Sequence, residues 1–149
     1  MKVMGINFNE NPVLQVIIPH LPSMNEMLGE ANKHRSKGAE LIRTLRAEGK
    51  SEGVNWLNSK GGRKLRPCVI HFMVFRSEKN SRRRDIHNLL IKPLIDGMFV
   101  DSGILPDDSE EWIPAVILEY AGKINGEESV LIHAYETIEA PVVGADQGA

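Results

Sequence analysis

The chain has 149 residues, 42% of them hydrophobic and 26% charged, which suits one soluble globular domain with one real core. No run approaches the ~20 apolar residues that span a bilayer, and the N-terminus lacks the long apolar core of a signal peptide, so an intracellular protein without a membrane segment is expected. The formal net charge of −2 neither requires nor excludes a nucleic-acid partner, but its distribution is uneven: Lys33 to Arg46 and Lys60 to Arg84 are basic, whereas Asp101 to Glu111 is acidic.

Val13 to Ile18 is short, apolar and β-branched and predicts a strand, stopped by Pro19 and Pro22. Ser23 and Asn25 offer capping oxygens to a helix that should run from about Asn25 to Gly49, with a break expected at Gly38. Leu41, Ile42 and Leu45 share its apolar face. Trp56 and Leu57 are suited to a short helical turn, and Ser59 to Gly62 to a flexible basic loop. Pro67 to Phe75 is nearly continuous in apolar residues and predicts a strand buried on both faces, with the lone Cys68 as a buried thiol. A helix over roughly His87 to Val100 follows a loop from Ser77 to Arg84. Ile113 to Tyr120 and Ser129 to Thr137 predict two more strands, and Asn125-Gly126 between them is a hairpin signal inside a longer loop. Residues 139–149 lack periodicity and predict a flexible tail after a domain spanning 1–138. The element order β-α-β-α-β-β predicts a single α+β domain, a mixed sheet of about four strands with two main helices.

The stretch from Arg82 to Asp108 carries the chemistry. Helical spacing puts Asp85, Asn88, Lys92 and Asp96 on one face and Ile91, Leu94, Ile95 and Met98 on another, the expected core side. A polar stripe is also what an ordinary solvated helix shows. Pro93, however, is costly inside a helix unless it lies near the first turn, which places the preceding polar residues at a helix start or a bend. Beyond Gly103-Ile104-Leu105-Pro106 stand Asp107 and Asp108. If helix and strand lie side by side, Asp85 and Asp108 can converge on one divalent ion, and carboxylates with water are the natural ligands of Mg²⁺. The arginines Arg82, Arg83 and Arg84 beside them are suited to gripping phosphates.

The ordered pattern of Arg82 to Arg84, Asp85, His87, Asn88, Lys92, Asp96, Gly103, Asp107 and Asp108 resembles the RusA family of Holliday junction resolvases, endonucleases that cut four-way DNA junctions. Leu21-Pro22-Ser23-Met24-Asn25 is similar to that family's segment after its first strand. The likeness covers roughly residues 13 to 137. It implies a RusA-like fold and an Mg²⁺-dependent homodimer (Mn²⁺ being the alternative ion) that hydrolyses phosphodiester bonds in branched DNA during recombination and repair, in the cytoplasm and associated with DNA. By the same resemblance, Asp85 and Asp108 are metal-binding catalytic carboxylates, and Asp107 and His87 are further candidate ligands. Lys92 lies near the scissile phosphate, and Arg82 to Arg84 with Asn88 and Lys92 contact DNA. No organic cofactor and no membrane are implied.

Two positions depart from the pattern. His87 stands where an aspartate is usual, and a histidine suits a transition metal better than Mg²⁺. Asn88 to Lys92 is one residue longer than the commonest form. The alternative reading is therefore a junction-binding protein of the same fold that does not cut, and a third is a small domain that binds another protein. His71 and His133 read as packed or edge residues of strands, and Trp56 and Trp112 as packing residues.

Overall fold

Two apolar periodicities shape the molecule, a period of two in its strands and of 3.6 in its helices. The computed structural model describes residues 2, 3, 5–79 and 88–138. Asp85, His87 and Arg82 to Arg84, together with the expected tail, lie outside the described residues. In chain order the elements are β1 (Lys2–Val3), β2 (Ile6–Asn7), β3 (Leu14–Ile18), α1 (Met24–Lys33), α2 (Arg35–Ser59), β4 (Cys68–Ser77), α3 (Ile91–Ile95) continued by a π-helical segment (Asp96–Asp101), β5 (Ala115–Ile124) and β6 (Ser129–Glu136).

β1 and β2 form a small antiparallel pair, too short to be foreseen from sequence. The main sheet runs β3-β6-β4-β5; β6 is antiparallel to both β3 and β4, and β4 is parallel to β5. This is the expected α+β domain with a four-stranded mixed sheet, built with three helices instead of two. The expected hairpin is absent: β5 and β6 do not pair, because β4 lies between them. Residues 125–128 instead cross the C-terminal end of β4, where the Glu78 N–H bonds to the Ile124 carbonyl at 2.9 Å and Phe75 stands opposite Ser129.

The helical expectation around residue 38 is also corrected. The chain breaks at His34, whose backbone is extended at φ −158°, and the helix then runs straight through Gly38. His34 serves both helices. Its N–H closes α1 onto the Glu30 carbonyl at 3.0 Å, and its Nδ1 accepts from the Ser36 N–H at 3.3 Å. Ser23 caps the start of α1, accepting the Glu26 N–H at 3.1 Å. α2 continues past Trp56, which is buried, and ends in a Schellman turn. There the Gly62 N–H bonds to the Leu57 carbonyl at 2.8 Å and the Gly61 N–H to the Asn58 carbonyl at 3.3 Å. Gly61 has φ +67°, the left-handed conformation that this cap requires.

The core lies between the helices and one face of the sheet. Leu14, Val16, Ile70, Phe72, Ile132 and Ala134 meet Leu45, Trp56, Leu94, Met98 and Phe99 there. β4 was expected to be buried on both faces. From Ile70 to Phe75 its residues alternate instead between buried and half-buried, because the helices cover only one side of the sheet. Cys68 is fully buried, and burial, with the charge of Glu136, pushes its thiol up to about 12, where it is no nucleophile.

Glu136 is a buried charge among the core residues, 6% exposed. The Arg63 guanidinium donates to it at 2.7 Å and the Arg66 N–H at 2.9 Å. Burial alone would raise its pKa, but these donors outweigh it and hold the carboxyl below its usual value of 4.5. A depressed carboxylate contributes stability above its unfolded pKa and loses it as pH falls through the folded value. Melting temperature should therefore drop as pH falls below about 4.5, and Glu136→Gln should make that acid limb shallower. Parallel acid limbs in thermal melts of the two proteins would refute this.

Candidate functional site

The structure begins α3 at Ile91, later than the sequence predicts. Asn88 therefore precedes the helix, so that of the expected stripe's described residues only Lys92 and Asp96 share a helical face. Leu89 is held instead in a β-bridge to Ser23, and the Leu90 N–H donates to the Pro22 carbonyl at 2.7 Å. The two stretches that carry the family likeness, Leu21 to Asn25 and the motif around Asn88, thus lie against each other. Pro93 falls in the first turn of α3, where its missing N–H has no intrahelical partner to lose. The expected core face holds: Leu94, Ile95 and Met98 are buried and Ile91 packs against them.

From Asp96 the helix widens into its π-helical segment, a rare form that recurs at functional sites. The Ser102 N–H reaches back to the Gly97 carbonyl at 3.2 Å, one residue further than in an α-helix. The chain then turns at Gly103 and is anchored by two buried side chains, Ile104 and Leu105. The Leu105 N–H bonds to the Phe99 carbonyl at 2.7 Å. That anchor returns Asp108 to the first turn of α3.

There Lys92 donates to two carboxylates, to Asp96 Oδ1 at 2.6 Å and to Asp108 Oδ2. The hydrogen bond to Asp108, followed by that to Asp96, raises the Lys92 pKa. Reciprocally, the Lys92 ammonium holds the Asp108 carboxyl below the usual carboxylate range. Asp107 Oδ1 accepts the Ser109 N–H at 2.8 Å, an Asx turn that shapes the same loop. A neighbouring pair ties the π-helical segment to α2: Arg46 grips Asp101 bidentately, Nε to Oδ2 at 2.5 Å and Nη2 to Oδ1 at 2.8 Å.

The structure thus brings Lys92 and Asp108 together and adds Asp96, to which the sequence assigned no role. The signal was available in the four-residue spacing of Lys92 and Asp96, although acid after base is the weaker order for such a helical pair. Arg46 and Asp101 were not singled out at all. They lie 55 positions apart, and nothing local marks them as partners.

Two carboxylates from different elements converge on one cationic atom. Carboxylate oxygens are donors that Mg²⁺ accepts, but here the Lys92 ammonium holds both of them. Among the described residues no group of three or more His, Cys, Asp or Glu could hold a metal, and Asp85 and His87 lie outside them. No helix among the described residues is long and apolar enough to cross a membrane. The molecule is thus an α+β domain whose polar cluster sits on the crossover from β4 to β5. Comparison with protein-family models, with curated proteins and with solved structures finds no match.

Proposed function

We propose that the protein is a RusA-like, metal-dependent endodeoxyribonuclease that hydrolyses phosphodiester bonds in branched DNA as a homodimer. One observation carries this reading. Lys92, Asp96 and Asp108 belong to the ordered motif and meet at one ammonium, although Lys92 and Asp108 are 16 residues apart in the chain. A solvated polar stripe would have no reason to recruit Asp108 from a separate loop.

In this reading Asp108, together with Asp85, holds Mg²⁺ or Mn²⁺, with Asp107 and His87 as adjoining candidates. A bound divalent ion supplies Lewis-acid stabilisation of the scissile phosphate and a more acidic water. Lys92 carries a positive charge that its two carboxylates keep in place, and it stabilises the negative charge that builds on the phosphate oxygens. Arg82, Arg83, Arg84 and Asn88 hold neighbouring phosphates. That gives affinity without sequence readout and a binding constant that falls steeply with salt.

His87, where an aspartate is usual, favours a second reading: a protein of the same fold that binds junctions without cutting them. The test is to incubate the chain with a synthetic four-way junction in Mg²⁺ and, separately, in Mn²⁺. Paired nicks across the junction are expected. Tight, salt-sensitive binding with no cutting in either metal supports the second reading. No binding at low salt sinks both.

A further inference from the structure

Lysine and arginine crowd the link from α2 to β4: Lys60, Arg63, Lys64 and Arg66 stand there with no acid among them. Two of these cations serve the fold, Arg63 on the Glu136 carboxylate and Arg66 on the Thr137 carbonyl. Lys60 and Lys64 are exposed, and neither side chain has a hydrogen-bond or ion-pair partner among the described residues.

A cavity of about 410 Å³ opens between this link, the end of the π-helical segment and the turn that leads into Asp107 and Asp108. That volume lies within the roughly 300–1,000 Å³ of small-molecule sites. Its walls are apolar, formed by Leu65, Val100 and Pro106 with the half-buried indole of Trp112. Lys64 is the one charged residue in the lining, and the acids of the following turn, Glu110 and Glu111, take no part in it. Backbone bonds fix two of the walls. The Leu65 N–H donates to the Ile104 carbonyl at 3.2 Å, and the Trp112 carbonyl accepts the Cys68 N–H at 2.9 Å.

This combination selects its occupant. An apolar peptide side chain would use the walls but leave two lysines without a counter-charge, and a free phosphate would use the lysines but not the walls. A nucleotide uses both, because its base has apolar faces and its backbone carries negative charge. Proteins that hold single strands pair an aromatic platform with a cationic track in the same way.

We propose that the Trp112 cavity captures an unpaired base of a DNA strand, with Lys64 and Lys60 on the phosphates beside it. The turn that walls the cavity continues directly into Asp107 and Asp108, so a strand held there runs past the candidate cluster. A branch point offers an unstacked base at low cost, whereas an uninterrupted duplex must first break a pair. The cavity thus favours branched DNA over duplex. The proposal rests on the nuclease reading only for the place of its ligand in a branched substrate.

Binding of single strands in EDTA, where no metal-dependent cutting occurs, tests this. The probes are a fluorescein-labelled oligothymidylate and an abasic oligonucleotide of the same length, which keeps the phosphates and lacks the bases. The wild type should bind the oligothymidylate about tenfold more tightly, the size of one stacked base. Trp112→Leu should remove that preference and Trp112→Phe should keep most of it, with affinity for the abasic strand unchanged in both. Lys64→Glu should weaken binding of both strands several-fold. Lys37→Glu, exposed near the opposite end of α2, should weaken neither. Equal wild-type affinity for the two strands, a preference that survives Trp112→Leu, or an unaffected Lys64→Glu overturns the proposal. The wild-type comparison needs no variant, so it decides even if Trp112→Leu does not fold. A base preference without junction cutting leaves the cavity standing and sinks the nuclease reading. Paired nicks with no base preference do the reverse.

Discussion

Asp108→Asn is expected to lower junction cleavage by a factor of about 10²–10³, while junction affinity changes only a few-fold. In the nuclease reading Asp108 would help hold the divalent ion that stabilises charge on the scissile phosphate, and removing one contribution to such stabilisation typically costs about 10²–10³ in rate. Asp108 also stands in a hydrogen bond with Lys92, so the variant has a second, independent signature. With Asp108 neutral, Lys92 keeps only Asp96 as a charged acceptor, and its raised pKa should fall back toward the ordinary lysine value. The ammonium then loses its proton at lower pH, and that titration can be followed by the carbon signal beside Nζ. Lys92→Met should lower cleavage comparably. An Asp108→Asn enzyme that keeps a tenth of wild-type activity would remove Asp108 from the catalytic set.

Gly97→Ala should cause the largest loss of stability of any single methyl addition in the helical layer. A Cβ at Gly97 would stand 2.0 Å from the Arg46 carbonyl oxygen, and one at Gly53 2.1 Å from the Met98 carbonyl oxygen. α2 and the π-helical segment therefore touch backbone to backbone, and neither clash can be relieved by turning a side chain. Overpacking of this kind costs about 3 kcal/mol at the upper end of its usual range. For a chain of this length that lowers the melting temperature by roughly 6–12 °C. Gly29→Ala gives the opposite sign. Its Cβ would meet nothing within 4 Å on α1, so the gain in helix propensity should raise stability by about 0.5–1 kcal/mol. A Gly97→Ala protein melting within 2 °C of wild type would mean that the helices are not in backbone contact.

The sheet was legible wherever burial follows the period of the sequence. β4 was found to within two residues from a near-continuous apolar run, which did not foretell its alternating burial. β3 and β6 fall within a residue of their expected bounds because their burial alternates with the period of a strand. The core face of α3 was legible for the same reason. Misread features come from tertiary contacts that glycine and histidine make possible. Gly38 read as a break and Gly49 as the helix end, yet Gly49 and Gly53 are where a second helix comes close, and α2 runs ten residues past that expected end. The true break is made by His34, whose ring caps one helix while its backbone closes another, and no propensity scale marks that. In the candidate site, the motif singled out Lys92 and Asp108, and the structure places them in contact. Their shared contact with Asp96 was not legible, because it depends on where the loop after the π-helical segment returns.

The passage of residues 125–128 over the end of β4 has a kinetic consequence. β5 and β6 are the nearest strands in sequence, and Asn125-Gly126 between them favours a local turn, but the native sheet never uses that pairing. Each of its three ladders joins strands distant along the chain, with the strand from the middle of the sequence inserted between the last two. Sheets built only from such contacts fold slowly, since loop closure precedes any stabilising pairing. A β5–β6 hairpin that formed first would have to open before β4 could enter, which makes it a trap on the route to the native sheet.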